Sequence, residues 1–135
     1  MGKFVIKAAT QACPCGSPDF AQCCGRFISG QAVPATAEQL MRSRYSAYTL
    51  GDEAYLRASW HASTRPVDAI IQDDAAKWLG LEVKRHAQQG DEASVEFVAR
   101  YRIDGRAHRM HEISRFLRED GKWLYVDGTF PEKSK

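Results

Sequence analysis

All four cysteines of the chain lie within thirteen consecutive residues, CPCGSPDFAQCCG, numbers 13–25. They form a C-x-C pair, Cys13 and Cys15, and an adjacent pair, Cys23 and Cys24. A segment this short cannot bury a hydrophobic core of its own, so its fold depends on what the thiols bind or bridge.

Three chemistries use cysteines in this way. Disulfides suit secreted proteins, and a bridge between the adjacent residues Cys23 and Cys24 would be strained. A catalytic thiol needs a neighbouring base, and no histidine is near this segment in the sequence. Four thiolates complete a tetrahedral zinc site without water, which makes the ion a structural element rather than a catalyst. The spacing favours this third chemistry, with one structural zinc per chain.

The cysteine segment also resembles a known motif. CPCGS followed by CCG is similar to the SEC-C motif, a small zinc-binding module found at the C terminus of the SecA ATPase and on many bacterial proteins. In the rest of the chain, four stretches resemble the YchJ-like family: LMRSRYSAY (40–48), SWHASTRP (59–66), WLGLEV (78–83) and SRFLREDGKWLYVDGT (114–129).

The resemblance implies an architecture rather than an activity. It implies an α+β protein in which a SEC-C-like zinc knuckle over residues 1–30 precedes a nuclear-transport-factor-2-like domain over residues 31–135. Such a cystatin-like domain is a cone of helices packed on a curved antiparallel sheet. Related cones serve isomerases and dehydratases.

Helix signals cover the first half of the second segment. Thr36 precedes a pattern of apolar residues at spacings of three and four that ends at Gly51 and predicts an amphipathic helix. Asp52 is placed to cap a second, short helix, in which Leu56 is a buried candidate. The apolar spacing over residues 67–77 predicts a third helix.

After Gly80 the pattern changes to strands divided by polar turns. Asp104-Gly105 and Asp120-Gly121 lie between alternating runs, and Asp-Gly favours two-residue hairpin loops because both residues adopt positive φ. The first loop predicts that Tyr101 faces His108, Ala99 faces Met110 and Phe97 faces Glu112. The second predicts that Phe116 faces Tyr125 and Ser114 faces Asp127.

These pairings divide the sheet into two faces. The aromatic face, expected to be concave and covered by helices, carries Phe97, Ala99, Tyr101, Met110, Glu112, Ser114, Phe116, Trp123, Tyr125 and Asp127. The opposite, basic face carries Val98, Arg100, Arg102, Arg109, His111, Ile113, Arg115, Leu124 and Val126.

Several polar residues of the aromatic face are candidates for an interior pocket. Glu112 and Asp127 are carboxylates among Tyr101, Ser114 and Tyr125, and a carboxylate in an apolar cavity can act as an acid or a base. His61, just after the second helix, could lie at the mouth of the cone. The alternative interpretation, which the sequence favours, is that both carboxylates accept hydrogen bonds that hold the sheet together.

Composition and charge exclude some classes of function. With 44% hydrophobic and 27% charged residues, the 135-residue chain is typical of a soluble domain, and no apolar run reaches the ~20 residues of a membrane helix. We therefore expect a cytoplasmic protein without a membrane contact. The formal net charge of +2 does not favour nucleic acid as a partner.

Two functions remain open. The sequence slightly favours a binding or adaptor protein, in which the zinc motif contacts a protein partner while the sheet forms a homodimer. The alternative is a small-molecule binder or acid/base enzyme of isomerase or dehydratase type that uses the cone interior. No catalytic signature appears among the residues, so the sequence predicts no enzyme class.

Overall fold

The computed structural model describes residues 11–71 and 76–131. Three helices precede four strands in the described chain: α1 (Cys24–Ile28), α2 (Ala37–Leu50), α3 (Glu53–Ala58), β1 (Lys77–Gln89), β2 (Glu92–Ile103), β3 (Arg106–Glu119) and β4 (Lys122–Thr129). The strands form one antiparallel sheet in the order β1-β2-β3-β4. None of the helices among these residues is long and apolar enough to cross a membrane.

The two predicted helix starts are confirmed. The Thr36 hydroxyl accepts a hydrogen bond from the Gln39 amide at 3.1 Å, and α2 ends at Gly51, whose φ of 72° is left-handed. The Asp52 carboxylate accepts a hydrogen bond from the Tyr55 amide at 3.0 Å and so caps the N terminus of α3.

The prediction of a third helix over residues 67–77 is wrong where the structure describes it. Residues 67–71 are not helical, and β1 already begins at Lys77, while residues 72–75 lie outside the described chain. The physical reason is a competing acceptor, because the Glu53 carboxylate accepts hydrogen bonds from the amides of Ile70 and Ile71 at 2.7 and 3.0 Å. Those amides therefore bind a side chain instead of helical carbonyls.

This contact predicts a local response to acid. Hydrogen bonds from the Ile70 and Ile71 amides, with help from Arg57, lower the pKa of Glu53 below its ordinary value of 4.5. The contact is therefore complete above pH 4.5 and is lost as the pH falls through the lowered pKa. We expect Glu53→Ala, which removes both acceptor oxygens, to remove hydrogen-exchange protection from both isoleucine amides at neutral pH. Unchanged protection in that variant would contradict the assignment.

The register of the hairpin around Asp104-Gly105 agrees with the one predicted from the sequence. Tyr101 pairs with His108, Ala99 with Met110 and Phe97 with Glu112, as predicted. Asp104 and Gly105 have φ values of 52° and 75°, as their turn requires.

One predicted pair is wrong. Phe116 pairs with Tyr125 as expected, but a β-bulge between Arg115 and Phe116 places Asp127 opposite Arg115, and Ser114 faces Gly128 instead. The extra residue of the bulge moves the Asp127 side chain to the opposite face of the sheet. The Arg115 guanidinium contacts it there at 2.7 and 2.8 Å.

The core lies between α2 and the aromatic face of the sheet. Leu40, Met41 and Tyr45 of α2 are buried in one cluster with Phe97, Phe116 and other residues of the sheet. The edge of β4 is closed by the segment after α3, because the His61 amide donates to the Tyr125 carbonyl at 2.7 Å. The helices therefore cover one face of the sheet, as the sequence predicted.

Candidate functional sites: a cysteine cluster and an interior cavity

The four cysteine side chains converge at one point beside α2. Their sulfur atoms all lie within 4.8 Å of one another, and none is in a disulfide. Cys13 and Cys15 lie on a tight turn, in which the Gly16 amide donates to the Cys13 carbonyl at 3.0 Å and Gly16 has a φ of 115°. Cys23 and Cys24 lie at the start of α1.

The distances between the thiols fit a tetrahedral metal site. Zinc–sulfur bonds of about 2.3 Å at tetrahedral angles require sulfur–sulfur distances of about 3.8 Å. The Sγ atoms of Cys15 and Cys23 are 3.6 Å apart, and those of Cys23 and Cys24 are 3.9 Å apart. The four side chains can therefore hold one such ion without a large rearrangement.

The thiols of the cluster hold their protons unequally: Cys15 is favoured as a thiolate, while burial raises the pKa of Cys23. Hydrogen bonding by the Cys24 thiol lowers the pKa of Cys15, although burial opposes the shift, while the same interaction and burial raise the pKa of Cys24. The Ser17 hydroxyl is buried and interacts with the Cys23 thiol, but within the described residues it has no partner in full hydrogen-bond geometry. A metal-bound thiolate accepts hydrogen bonds better than a neutral thiol, so an occupied site would supply the acceptor that Ser17 lacks.

The cluster is packed into the main core. The Sγ of Cys13 lies 3.5 Å from the Ser46 hydroxyl of α2, and the Arg42 guanidinium of α2 donates to the Cys15 carbonyl at 3.2 Å. Cys13, Cys15 and Cys24 belong to the same buried cluster as the aromatic residues of the sheet. A displacement of the thiols would therefore also disturb the packing of α2.

Gly25 is tightly packed within the cysteine segment. A Cβ atom at this position would lie 2.8 Å from the Phe20 carbonyl oxygen and 2.9 Å from its ring. We expect Gly25→Ala to reduce the free energy of unfolding by about 1–3 kcal/mol, because a backbone oxygen cannot rotate away. Urea unfolding of the purified protein measures the loss.

Gly80→Ala is the matched control for this change. Nothing lies within 4 Å of a Cβ built on Gly80, and its φ is not positive. This control should be neutral or gain about 0.4–1 kcal/mol through the unfolded chain. Equal effects of the two alanines would contradict the tight packing of Gly25.

A cavity of about 320 Å³ lies between α2 and the aromatic face. Most of its lining is aromatic or aliphatic, with a few polar groups. The lining residues are Met41, Arg44, Tyr45, Tyr48, Trp78, Phe97, Ala99, Met110, Glu112, Ser114, Phe116, Tyr125 and Phe130.

Glu112 is the buried carboxylate of this cavity. Its Oε2 atom accepts hydrogen bonds from the Ser114 hydroxyl at 2.7 Å and from the Tyr125 hydroxyl at 3.2 Å. Burial and the neighbouring carboxylate raise the pKa of Tyr125, which keeps this residue a phenol and a donor. Gly128 makes room for the carboxylate, because any Cβ at that position would overlap Glu112.

Arg44 is the buried cation of the same cavity. Its Nη1 donates to the Leu56 carbonyl at 2.8 Å and to the Ser59 hydroxyl at 2.6 Å. The guanidinium also lies over the rings of Trp60 and Tyr125, at 5.0 and 4.5 Å from their centroids. Burial lowers the pKa of Arg44, and an arginine nevertheless keeps its charge at neutral pH.

The candidate residues named from the sequence are partly brought together. Glu112, Ser114 and Tyr125 line the cavity, whereas Asp127, His61 and Tyr101 are not among its lining residues. The bulge turns Asp127 toward Arg115, whose guanidinium lowers the pKa of Asp127.

His61 and Tyr101 have partners elsewhere. The His61 Nε2 lies 2.6 Å from the Glu119 carboxylate. The Tyr101 ring stacks on His108 with a centroid distance of 5.2 Å.

Arg44 was missed by reasoning from the sequence, although a signal was present. It follows Leu40 by four positions and precedes Tyr48 by four, so it shares the apolar stripe of α2. A charged residue in such a stripe indicates a buried cation with dedicated partners.

Comparison with known proteins agrees with this architecture. A family model described as the middle, NTF2-like domain of YchJ matches residues 36–128. A UPF0225 protein of Ralstonia nicotianae is 59% identical over 133 residues, with 90% of this chain and 92% of the relative covered. A UPF0225 protein of Cupriavidus metallidurans is also 59% identical, over 127 residues, with 89% of each chain covered.

Solved structures of bacterial proteins containing a SEC-C motif are similar over most of the chain. The solution structure of one from Rhodopseudomonas palustris is 32% identical, with a TM-score of 0.81 and coverage of 89% of this chain and 98% of that one. The crystal structure of one from Psychrobacter arcticus is 28% identical, with a TM-score of 0.75 and coverage of 89% and 82%. The chain therefore belongs to the YchJ-like, UPF0225 family, with an NTF2-like domain preceded by a cysteine cluster.

Proposed function

We propose that the protein binds a small, largely apolar molecule in the cavity between α2 and the sheet. The observation that carries this proposal is a buried carboxylate, Glu112, in a cavity whose walls are mostly aromatic and aliphatic. Small-molecule sites combine an apolar lining with a few placed polar groups in cavities of roughly 300–1,000 Å³. At about 320 Å³ this cavity lies at the lower end of that range and suits a small ligand.

We further propose that one structural zinc ion per chain is bound by Cys13, Cys15, Cys23 and Cys24. Thiolates favour soft ions such as zinc, and four of them leave no open position for water or substrate. When bound, the ion supplies cross-linking rather than reactivity. Its role in this chain is to fix the loop against α2, which forms one wall of the cavity. Reduced, metal-binding thiols also suit the cytoplasm.

An acid/base reaction is a second candidate function for the same cavity. Glu112 can accept a proton from a bound molecule, while Tyr125 remains a hydrogen-bond donor. An isomerase or dehydratase reaction requires only such groups and a ligand with a removable proton. Binding precedes either outcome, so it is the property to test first.

The adaptor function predicted from the sequence stays a proposal, as do a protein partner at the cysteine segment and a homodimer through the sheet. A pull-down with the native chain and with a Cys23→Ser, Cys24→Ser variant separates this function from ligand binding. An unchanged set of captured proteins would reject an adaptor role for the cysteine segment.

The cavity is tested with a fragment library that includes toluene, benzamide, benzylamine and benzoate. We expect at least one compound to shift the amide NMR signals of cavity residues such as Tyr48, Ala99 and Met110. Ala99→Leu, which fills the cavity, should abolish these shifts. Ala107→Leu makes the same change at an exposed position of β3 and should preserve them. The absence of any cavity shift with the whole library would reject the proposal.

A further inference from the structure

The polar groups of the cavity are arranged in a way that selects one class of ligand. Both hydrogen bonds to the Glu112 carboxylate end on Oε2, from Ser114 and Tyr125. Among the described residues, Oε1 accepts no hydrogen bond. Oε1 is not one of the fully buried polar atoms that lack a partner, so it is reachable from the cavity that Glu112 lines, and a ligand N–H can donate a charge-assisted hydrogen bond to it.

Arg44 has unused donors in the same cavity. Within the described chain, its hydrogen bonds to Leu56 and Ser59 both come from Nη1, and no carboxylate lies within ion-pair distance of the guanidinium. Nε and Nη2 carry the remaining N–H groups; the Tyr48 hydroxyl interacts with the guanidinium as well, and the other N–H groups can reach an acceptor on a bound molecule. An arginine surrounded by Trp60 and Tyr125 is also held in place, which reduces the entropy lost when a ligand binds.

The charges of the cavity lining balance. Arg44 contributes one positive charge and Glu112 one negative charge, so a neutral ligand leaves the interior neutral. A ligand carboxylate would be repelled by Glu112, and a ligand ammonium would be repelled by Arg44. Charged groups of either sign would also lose their hydration in this apolar interior.

The shape and chemistry of the walls favour a single ring. Aromatic side chains from α2 and the sheet, among them Tyr48, Trp78, Phe97 and Phe116, face the same space of about 320 Å³. Flat rings pack well against aromatic walls in offset or edge-on geometry. A volume at the lower end of the usual range leaves room for one ring with one short polar group.

We propose that the ligand is a neutral monocyclic compound with adjacent donor and acceptor groups, such as an amide or lactam. Its N–H donates to Glu112 Oε1, and its carbonyl accepts from Arg44. This inference rests on the proposed binding function and adds the chemical class of the ligand.

The test compares four probes of similar size on the full, purified chain. Benzamide carries the donor–acceptor pair, benzoate is an anion, benzylamine is a cation, and toluene has no polar group. In NMR titrations followed at cavity amides, we expect benzamide to bind about tenfold more tightly than each of the others, which corresponds to about 1.4 kcal/mol. Benzoate, benzylamine or toluene binding as tightly as benzamide would overturn the inference while leaving cavity binding intact.

A matched pair of variants tests the role of Glu112. Glu112→Gln keeps the shape of the side chain and removes its charge, so it should weaken benzamide and reduce the discrimination against benzoate. Glu92→Gln makes the same change on an exposed carboxylate and should alter neither affinity. Melting temperatures are measured first, and the probe ranking on the unaltered protein stands if Glu112→Gln does not fold. Unchanged discrimination in a folded Glu112→Gln variant would also overturn the inference. If no probe or fragment shifts a cavity amide, the binding proposal itself fails.

Discussion

Replacing Cys15 with serine will release the proposed zinc ion and lower the Tm by about 10–20 °C, since loss of a structural metal site is expected to cost about 4 kcal/mol or more. Cys15 is buried, and its sulfur lies 3.6 Å from that of Cys23. Its carbonyl also accepts a hydrogen bond from Arg42 of α2, so disorder at this residue reaches the helix. Elemental analysis and calorimetry of the purified protein measure the two effects.

Ala21→Ser is the matched control for this change. It adds a hydroxyl to an exposed position of the same loop and removes no candidate ligand. It should retain one zinc per chain and an unchanged Tm. A Cys15→Ser protein with full metal content and normal melting would contradict the four-cysteine site.

Arg44→Leu will have the second large effect, a reduction of about 3 kcal/mol or more in the free energy of unfolding. The change removes the charged donor of the Leu56 carbonyl, to which the Ser59 hydroxyl still donates at 3.3 Å, and takes the same donor from that hydroxyl. Hydrogen bonds to a charged group contribute about 1.5–3 kcal/mol each. The change also removes the cation from the faces of Trp60 and Tyr125, worth about 0.5–2 kcal/mol. Chemical denaturation measures the sum.

Arg115→Leu is the control for Arg44→Leu. Arg115 is also an arginine with two hydrogen bonds, but its side chain is 64% exposed and pairs with the exposed Asp127. Surface pairs of this kind contribute about 0–1 kcal/mol. Similar reductions in the free energy of unfolding for the two leucine variants would show that burial does not account for the contribution of Arg44 to stability.

The parts of the fold that depend on neighbouring residues were predictable from the sequence. The caps at Thr36 and Asp52 act over three residues, and the Asp104-Gly105 turn sets the register of β2 and β3 because its φ values permit only a few loop types. The cysteine segment is similarly local, since its C-x-C turn and its adjacent pair each fix two thiols.

The parts that depend on distant residues were not predictable in the same way. Ile70 and Ile71 do not form a helix because Glu53, seventeen or more positions earlier, binds their amides. Asp127 lies on the basic face, and not on the aromatic face as predicted, because of a β-bulge. No turn residue in the sequence indicates that bulge. Glu112 keeps its place because Gly128 lacks a side chain, a relation between two strands that appears only when they are paired.

The order of the strands affects how the chain folds during its synthesis. Because β1 to β4 pair in sequence, most contacts of the sheet are between neighbours along the chain, which favours rapid assembly once the strands are synthesised. The cysteines and α2 leave the ribosome before strands β1 to β4, since the chain is synthesised from its N terminus. The thiols span only residues 13–24, so the nascent segment would bind the proposed zinc ion early, at a stage when the sheet does not yet cover Leu40, Met41 and Tyr45 of α2. During that interval the apolar side chains of α2 are exposed to contacts that lead to aggregation.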